Sequence, residues 1–206
     1  MDGNGLTVGV LALQGAVREH LRMIEECGAR GVGIKRPAGL DDVDGLIIPG
    51  GESTAIGKLI SEYGFADPIR RMGMSGLPIF GTCAGLILLS RDVVGAHGPL
   101  IGLADVTVER NAFGRQVDSF EADLEVSGIE DEERPYHAVF IRAPIMEAVG
   151  AGVTVMARLG EGAVLAREGN LLLGAFHPEL TSDLRVHRFF LDMVAEAVRG
   201  ARHGGR

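Results

Sequence analysis

The stretch that decides the fold is Leu77-Pro78-Ile79-Phe80-Gly81-Thr82-Cys83-Ala84-Gly85. Its apolar start, Leu77–Phe80, predicts a buried strand, and the residues from Ala84 to Ser90 predict a helix. Cys83 lies in the turn between them, among glycine and alanine neighbours. A strand, a sharp turn of small residues and a helix form the setting of a nucleophile elbow, which presents its central side chain at the carboxyl end of the strand. The stretch therefore predicts an α/β fold with a candidate nucleophile.

The two cysteines have different sequence contexts. At the start of a helix, the main-chain N–H groups and the helix dipole favour the thiolate of Cys83, and the N–H of Ala84 can bind an oxyanion. The alternative is that Cys83 is a buried, inert cysteine, which is a common fate of free cysteines. Cys27 ends an amphipathic helix without an elbow, and we expect it to be inert. A disulfide between them is not expected in a cytosolic α/β protein of this size.

Outward from this stretch, the first half of the chain alternates strand and helix patterns, and this order indicates a parallel sheet. The second half is richer in alternating strand patterns, which we expect to add antiparallel strands, before a last strand and an amphipathic helix. We predict one domain over residues 1–206 with a disordered tail at 200–206. The predicted strands are Leu6–Leu13, Val32–Lys35, Gly45–Ile48, Val106–Arg110, Phe120–Val126, Ala138–Arg142, Val153–Ala157, Ala163–Ala166 and Leu171–Phe176. The predicted helices are Val17–Cys27, Ser53–Met74 with a break near Pro68, and Asp183–Arg199.

Composition excludes several classes of protein. The 206 residues carry 20 basic and 28 acidic side chains, and this net charge of −8 disfavours binding to nucleic acid. No apolar run reaches the ~18 residues of a membrane span, and the first residues do not resemble an export signal, so we expect a cytoplasmic protein. The histidines outside residues 175–179 show no ligand spacing, so neither a metal nor a cofactor is expected.

A candidate catalytic base follows the last predicted strand, in Ala175-Phe176-His177-Pro178-Glu179. Parallel strands place ligands at their carboxyl ends, so His177 and Cys83 should share one edge of the sheet. In extended backbone His177 and Glu179 point the same way, and a carboxylate there can orient the imidazole as in a catalytic triad. The alternative is a surface turn whose His and Glu are only solvated.

These motifs resemble the triad-bearing, class I glutamine amidotransferases, and more closely the family of glutaminase subunits of pyridoxal 5′-phosphate synthase. The resemblance runs from about Leu6 to Phe190 and implies a flavodoxin-like, doubly wound, mostly parallel sheet with added antiparallel strands. The strings that carry it are residues 13–20 (LQGAVREH), 49–54 (PGGEST), 81–85 (GTCAG), 108–111 (VERN), 113–121 (FGRQVDSFE), 140–144 (FIRAP) and 177–179 (HPE).

The resemblance also implies roles for individual residues. Cys83 would be the nucleophile, His177 the general base and acid, and Glu179 its orienting carboxylate. Gly51, as a backbone donor beside Ala84, would complete an oxyanion hole, and Gln14 would lie in the ammonia-exit region near the partner. The implied glutamine-binding residues are Gly51, Glu52, Ser53, Arg110, Ile141 and Arg142.

The implied reaction is the hydrolysis of L-glutamine to glutamate and ammonia through a glutamyl thioester. Ammonia released into water near neutral pH is mostly protonated and no longer nucleophilic, so a partner must receive it. The resemblance implies that this partner is the separate synthase subunit, in a large hetero-oligomer that makes pyridoxal 5′-phosphate. The alternatives are a glutaminase of another synthase, a γ-glutamyl hydrolase, or a non-catalytic flavodoxin-like module in which residues 50–54 bind a phosphate.

Overall fold

The structure, a computed structural model, describes residues 5–95, 100–114 and 119–204. The strands are β1 (Thr7–Leu11), β2 (Arg30–Ile34), β3 (Gly45–Ile48), β4 (Ile79–Thr82), β5 (Ser90–Val93), β6 (Ala104–Glu109), β7 (Ser119–Leu124), β8 (Tyr136–Ile141), β9 (Ile145–Val149), β10 (Thr154–Leu159), β11 (Gly162–Glu168) and β12 (Leu171–Gly174). The helices are α1 (Val17–Glu26), α2 (Ser53–Glu62), α3 (Ala66–Met74), α4 (Ala84–Leu89) and α5 (Arg185–Gly204), with short 3-10 turns at Pro37–Asp42 and Pro178–Leu180.

Within the described residues, ten strands form one sheet and β7 pairs with β8 alone. The path through the sheet is β2-β1-β3-β4-β12-β11-β9-β6-β5, with β10 also paired to β11. The strands from β2 to β12 are parallel, and β11, β9 and β10 add antiparallel pairs. The first five strands follow the flavodoxin-like order. The predicted fold class is confirmed.

Several boundaries differ from the sequence prediction. The break in the second helical stretch falls at residues 63–65, where Gly64 has a φ of +71°, and not at Pro68. Pro68 lies in the first turn of α3, where its missing N–H costs no helical hydrogen bond. Strands β5 and β9 were not predicted. The tail was predicted to start at residue 200, but α5 continues to Gly204, and residues 205–206 lie outside the described residues.

The central parallel strands are buried and present their carboxyl ends at one edge of the sheet. Strands β3, β4 and β12 are buried along their whole length, as expected for strands covered on both faces. Beyond their carboxyl ends come residues 50–53, 83–84 and 175–179, and residues 12–15 follow β1 beside them. Within the described part of the chain, no helix has the length and apolar character needed to cross a membrane.

Candidate active site

Cys83 occupies a strained turn between β4 and α4. Its φ of 48° and ψ of −99° lie in a region that residues with a side chain rarely adopt. The turn is closely packed, since a Cβ on Gly81 would lie 2.6 Å from the carbonyl carbon of Gly85, and a Cβ on Gly85 would overlap the carbonyl oxygen of Ile48. Gly81 and Gly85 are therefore required because the backbones approach closely there. This agrees with the nucleophile elbow that the sequence predicts. Ala84 begins α4, so its N–H belongs to the free amino end of that helix.

His177 and Glu179 form a buried pair. Nδ1 of His177 lies 2.7 Å from Oε1 of Glu179, a hydrogen-bond distance, and neither side chain is more than 9% exposed. The backbone there forms a 3-10 turn over Pro178–Leu180 and not the extended backbone that the sequence predicted, and β12 ends at Gly174, before the predicted strand end at Phe176. The main-chain N–H of His177 donates to the carbonyl of Val139 on β8, at 2.8 Å, which anchors the loop beside the second sheet.

The protonation of His177 is set by its two neighbours. Burial opposes a charge on the imidazole, but hydrogen bonds to Cys83 and Glu179 outweigh it and raise the pKa of His177 to about 10. Burial also works against the charge of Glu179, yet the adjacent His20 and His177 lower its pKa. The imidazolium is therefore the favoured form of His177 at neutral pH.

One cavity of about 270 Å³ opens beside Cys83 and brings the predicted site residues together. Nine of its lining residues were predicted from the sequence: Gln14, Gly51, Glu52, Ser53, Cys83, Arg110, Ile141, Arg142 and His177. Glu179 lies behind His177 and is fully buried, and Ala84 is also buried. The cavity wall includes two residues that sequence reasoning missed, Ile87 and Asn111. Ile87 could have been found from its position one helical turn after Cys83.

Backbone strain is concentrated at this cavity. Among the described residues, four that are not glycine have a positive φ: Cys83, Asn111, Asp131 and Arg142. All except Asp131 line the cavity. Such conformations cost of order 1–3 kcal/mol each and persist at functional sites because the surrounding structure imposes them. Asn111 follows the predicted Arg110, and its tolerance of left-handed backbone was the one available signal.

The loop after β3 is held by Gln14 and by its own glutamate. The main-chain N–H of Glu52 donates to Oε1 of Gln14 at 3.1 Å. The Glu52 carboxylate caps α2, accepting from the N–H groups of Thr54 at 3.0 Å and Ala55 at 2.7 Å. The bond from Thr54 is the main cause that lowers the pKa of Glu52. Nη2 of Arg110 lies 3.8 Å from the same carboxylate, so this wall of the cavity carries both charges.

Cys27 contrasts with Cys83. It is a free, half-buried thiol at the end of α1, and burial raises its pKa to about 11. A thiol with such a pKa is neutral at pH 7 and a poor nucleophile. That Cys27 is inert stays a prediction, and its raised pKa gives the physical reason.

The fold and this site define an α/β protein of the glutamine amidotransferase class. A solved structure titled a glutamine amidotransferase matches with a TM-score of 0.86 and 49% identity, over 91% of this chain and 98% of its own. A putative GMP synthase protein of Thermoplasma acidophilum shares the fold at a TM-score of 0.67 and 17% identity, over 96% and 98% of the two chains.

Sequence relatives narrow this class to one family. Pyridoxal 5′-phosphate synthase subunit PdxT of Pelotomaculum thermopropionicum is 55% identical over 93% of this chain and 97% of its own. The protein of the same name from Desulforudis audaxviator is 56% identical over 92% and 99% of the two chains. The model of the SNO glutamine amidotransferase family matches residues 10–196. The chain belongs to this family, which confirms the resemblance found in the sequence.

Proposed function

We propose that the chain is the glutaminase subunit of a pyridoxal 5′-phosphate synthase, with Cys83, His177 and Glu179 as its catalytic triad. The single observation that carries the triad is the juxtaposition of a strained cysteine and a buried His–Glu pair, with His177 hydrogen-bonded to Glu179 and lining the same cavity as Cys83. Membership of the SNO family and the identity of the relatives support the choice of glutamine as the substrate.

The imidazolium form of His177 is the starting point of the proposed reaction. The Cys83 thiolate attacks the side-chain amide carbon of glutamine, and the carbonyl electron pair moves onto oxygen to form a tetrahedral oxyanion. The His177 imidazolium gives its proton to the departing nitrogen, so ammonia leaves and a glutamyl thioester remains. The neutral imidazole then takes a proton from water, whose oxygen attacks the thioester. That proton restores the imidazolium, the C–S bond breaks with its electron pair on sulfur, and the Cys83 thiolate re-forms. Glutamate leaves as the carboxylate, and its carboxyl proton goes to solvent.

The oxyanion and the substrate's charged groups have matching partners around the cavity. The N–H groups of Ala84 and Gly51 bind the oxyanion, and each such donor contributes about 2.7–4 kcal/mol to transition-state stabilisation. Arg110 and Arg142 are the cationic side chains that bind the α-carboxylate of glutamine. Glu52 and Ser53 also line the cavity, with Glu52 beside Arg110. The backbone of Ile141 lies beside the nucleophile, with its carbonyl oxygen 3.8 Å from Sγ of Cys83.

Ammonia must be handed to a partner before water protonates it. The relatives are named as subunits of pyridoxal 5′-phosphate synthase, and we propose that this chain likewise docks on a synthase subunit in a cytoplasmic hetero-oligomer. Gln14 follows β1 at the active edge, lines the cavity and holds the Glu52 loop. It therefore lies where the ammonia exit and the synthase contact would meet.

The test is a paired assay with nitrogen-labelled glutamine. We expect glutamate release by the chain with its cognate synthase, and labelled nitrogen in pyridoxal 5′-phosphate when ribose and triose phosphates are supplied. Release of ammonia without transfer to the vitamin would indicate a glutaminase of another synthase. Absence of ammonia under all conditions would indicate a non-catalytic module.

A further inference from the structure

Three buried polar side chains lie behind Glu179, on the side away from His177. They are His20 on α1, His187 on α5 and Thr82 at the end of β4, and each is at most 1% exposed. The two imidazoles pack edge-on against Phe80, so their polar atoms are enclosed by apolar surface. Buried polar groups without partners cost about 1–3 kcal/mol each, which makes their hydrogen bonds informative.

The distances describe a chain of polar groups that ends on the carboxylate. Nε2 of His187 lies 3.0 Å from Nδ1 of His20. On the other side of the same ring, Nε2 of His20 lies 3.2 Å from Oγ1 of Thr82 and 3.4 Å from Oε2 of Glu179. Oε1 of Glu179 is taken by His177, whereas Oε2 has no partner in good hydrogen-bond geometry among the described residues. The nitrogen that faces Oε2 is Nε2 of His20, at 3.4 Å.

Burial keeps the two imidazoles neutral. It is the main cause that lowers the pKa of His20, against the attraction of Glu179, and it lowers the pKa of His187 to about 3. A neutral imidazole carries one N–H and one acceptor nitrogen, so one of the two rings must donate in the contact between them.

The two directions of donation differ in which buried groups they leave unpaired. If Nδ1 of His20 donated to His187, then Nδ1 of His187, which has no partner, would have to carry a buried N–H. Oε2 of Glu179 would also face a bare nitrogen and keep no donor. In the opposite direction, His187 donates to His20, the Nε2–H of His20 faces both Thr82 and Oε2 of Glu179, and the unpaired atom of His187 is an acceptor. A buried acceptor without a partner costs less than a buried N–H without a partner together with a carboxylate oxygen that faces no donor. The second direction is therefore favoured.

We propose that His20 is a positioning residue for the triad, whose Nε2–H holds the second oxygen of Glu179, and that His187 fixes the tautomer in which it does so. This inference rests on the proposed role of Glu179. The carboxylate is then held from both sides by histidines, and only the one on the cavity side reaches the nucleophile. Without His20, the carboxylate of Glu179 is no longer held in one orientation. The imidazole of His177, which is oriented by that carboxylate, then becomes less well oriented too.

The test compares two substitutions of His20 in the complex with the synthase. His20→Gln can place an amide donor near the position of Nε2, whereas His20→Leu keeps bulk and removes the donor. We expect His20→Leu to lower kcat roughly 10- to 100-fold, the range for a lost hydrogen bond to a charged group, with KM nearly unchanged. His20→Gln should recover much of that loss. Asn170→Ala is the matched control, since it removes two hydrogen bonds, to Gly73 and Leu77, at the opposite edge of the sheet.

A double-mutant cycle separates positioning from general destabilisation. If His20 acts through Glu179, His20→Leu should cost little further activity in a Glu179→Gln background, whereas independent effects would multiply. Equal kcat losses in both backgrounds, or a kcat loss in Asn170→Ala as large as in His20→Leu, would overturn the proposal.

Nitrogen NMR of the imidazoles in the unsubstituted protein reads the tautomers directly. We expect a protonated Nε2 and a bare Nδ1 on both His20 and His187. A protonated Nδ1 on His20 would overturn the proposal even if every variant failed to fold. A protein that releases no ammonia would contradict the proposed function, and the spectrum would still decide the tautomer.

Discussion

The main-chain N–H of Gly50 donates a hydrogen bond of 3.0 Å to Oγ1 of Thr82. This bond joins the end of β3 to the residue that precedes the nucleophile. The proposed oxyanion donors, the N–H groups of Gly51 and Ala84, lie one residue beyond Gly50 and two beyond Thr82 along the chain. One buried hydroxyl therefore fixes the spacing between two loops that must act on the same oxygen atom.

Replacing this hydroxyl should impair turnover. Thr82→Val keeps the shape of the side chain but leaves the buried N–H of Gly50 without an acceptor, which costs about 1–3 kcal/mol of stability. We expect kcat to fall at least about fivefold because the oxyanion donors lose their common anchor. Thr82→Ser, which keeps the hydroxyl, is the control. Equal kcat values for the valine and serine variants would contradict the anchoring role.

The two cysteines should respond differently to substitution. Cys83→Ala should abolish glutamine hydrolysis, since the loss of a triad nucleophile can cost on the order of 10⁶ in rate. Fold and binding to the synthase should remain, as circular dichroism and co-sedimentation would show. Cys27→Ala should be nearly silent. The nucleophile assignment fails if the Cys83→Ala protein hydrolyses glutamine within tenfold of the parent.

The roles of His177 and Glu179 can be separated by labelling. His177→Asn should be about as damaging as the loss of Cys83, while Glu179→Gln, which keeps the shape and one hydrogen bond, should be less so. The measurement is the rate at which a chloroketone analogue of glutamine alkylates Cys83, taken across pH. Unchanged labelling of the His177→Asn protein would count against His177 as the base.

Folding stability should depend on pH through His177. Its pKa is about 10 in the folded protein and near ~6.5 in an unfolded chain, so the folded state binds this proton more tightly. The resulting stabilisation is complete below pH ~6.5 and is lost as the pH rises through about 10. Urea unfolding of the parent and of His177→Asn should therefore give free energies of unfolding whose difference shrinks from pH 7 toward pH 10. A difference that stayed constant would refute the raised pKa.

Docking of the synthase should activate the glutaminase. Gln14 holds the N–H of Glu52, directly after Gly51, so contact at Gln14 can reorient the loop that carries one oxyanion donor. If that donor points away in the free chain, the missing stabilisation of about 2.7–4 kcal/mol corresponds to roughly 10²–10³ in turnover. Ammonia release should be compared for the free chain, the complex and a complex with Gln14→Ala. Full activity of the free chain would show that the site is preorganised.

Local signals in the sequence determined the parallel sheet and the three triad candidates. A buried strand followed by a sharp turn of small residues specifies the elbow at Cys83 by steric need alone. His177 follows another such strand, and the carboxyl ends of parallel strands share an edge of the sheet. The sequence alone therefore predicts that Cys83 and His177 lie close together. The short strands β5 and β9 escaped prediction because their pairing with β6 is non-local, and a four- or five-residue segment carries too little pattern of its own.

Only the tertiary structure decided what surrounds the proposed triad. Asn111 and Ile87 line the cavity through the packing of the segment after β6 and of α4 around the elbow, and their local sequence gives only weak signals of it. His20 and His187 are separated by 167 positions, and no pattern in the sequence links them. They meet because α1 and α5 bury them behind the carboxylate of Glu179, and a buried carboxylate is stabilised by nearby donors.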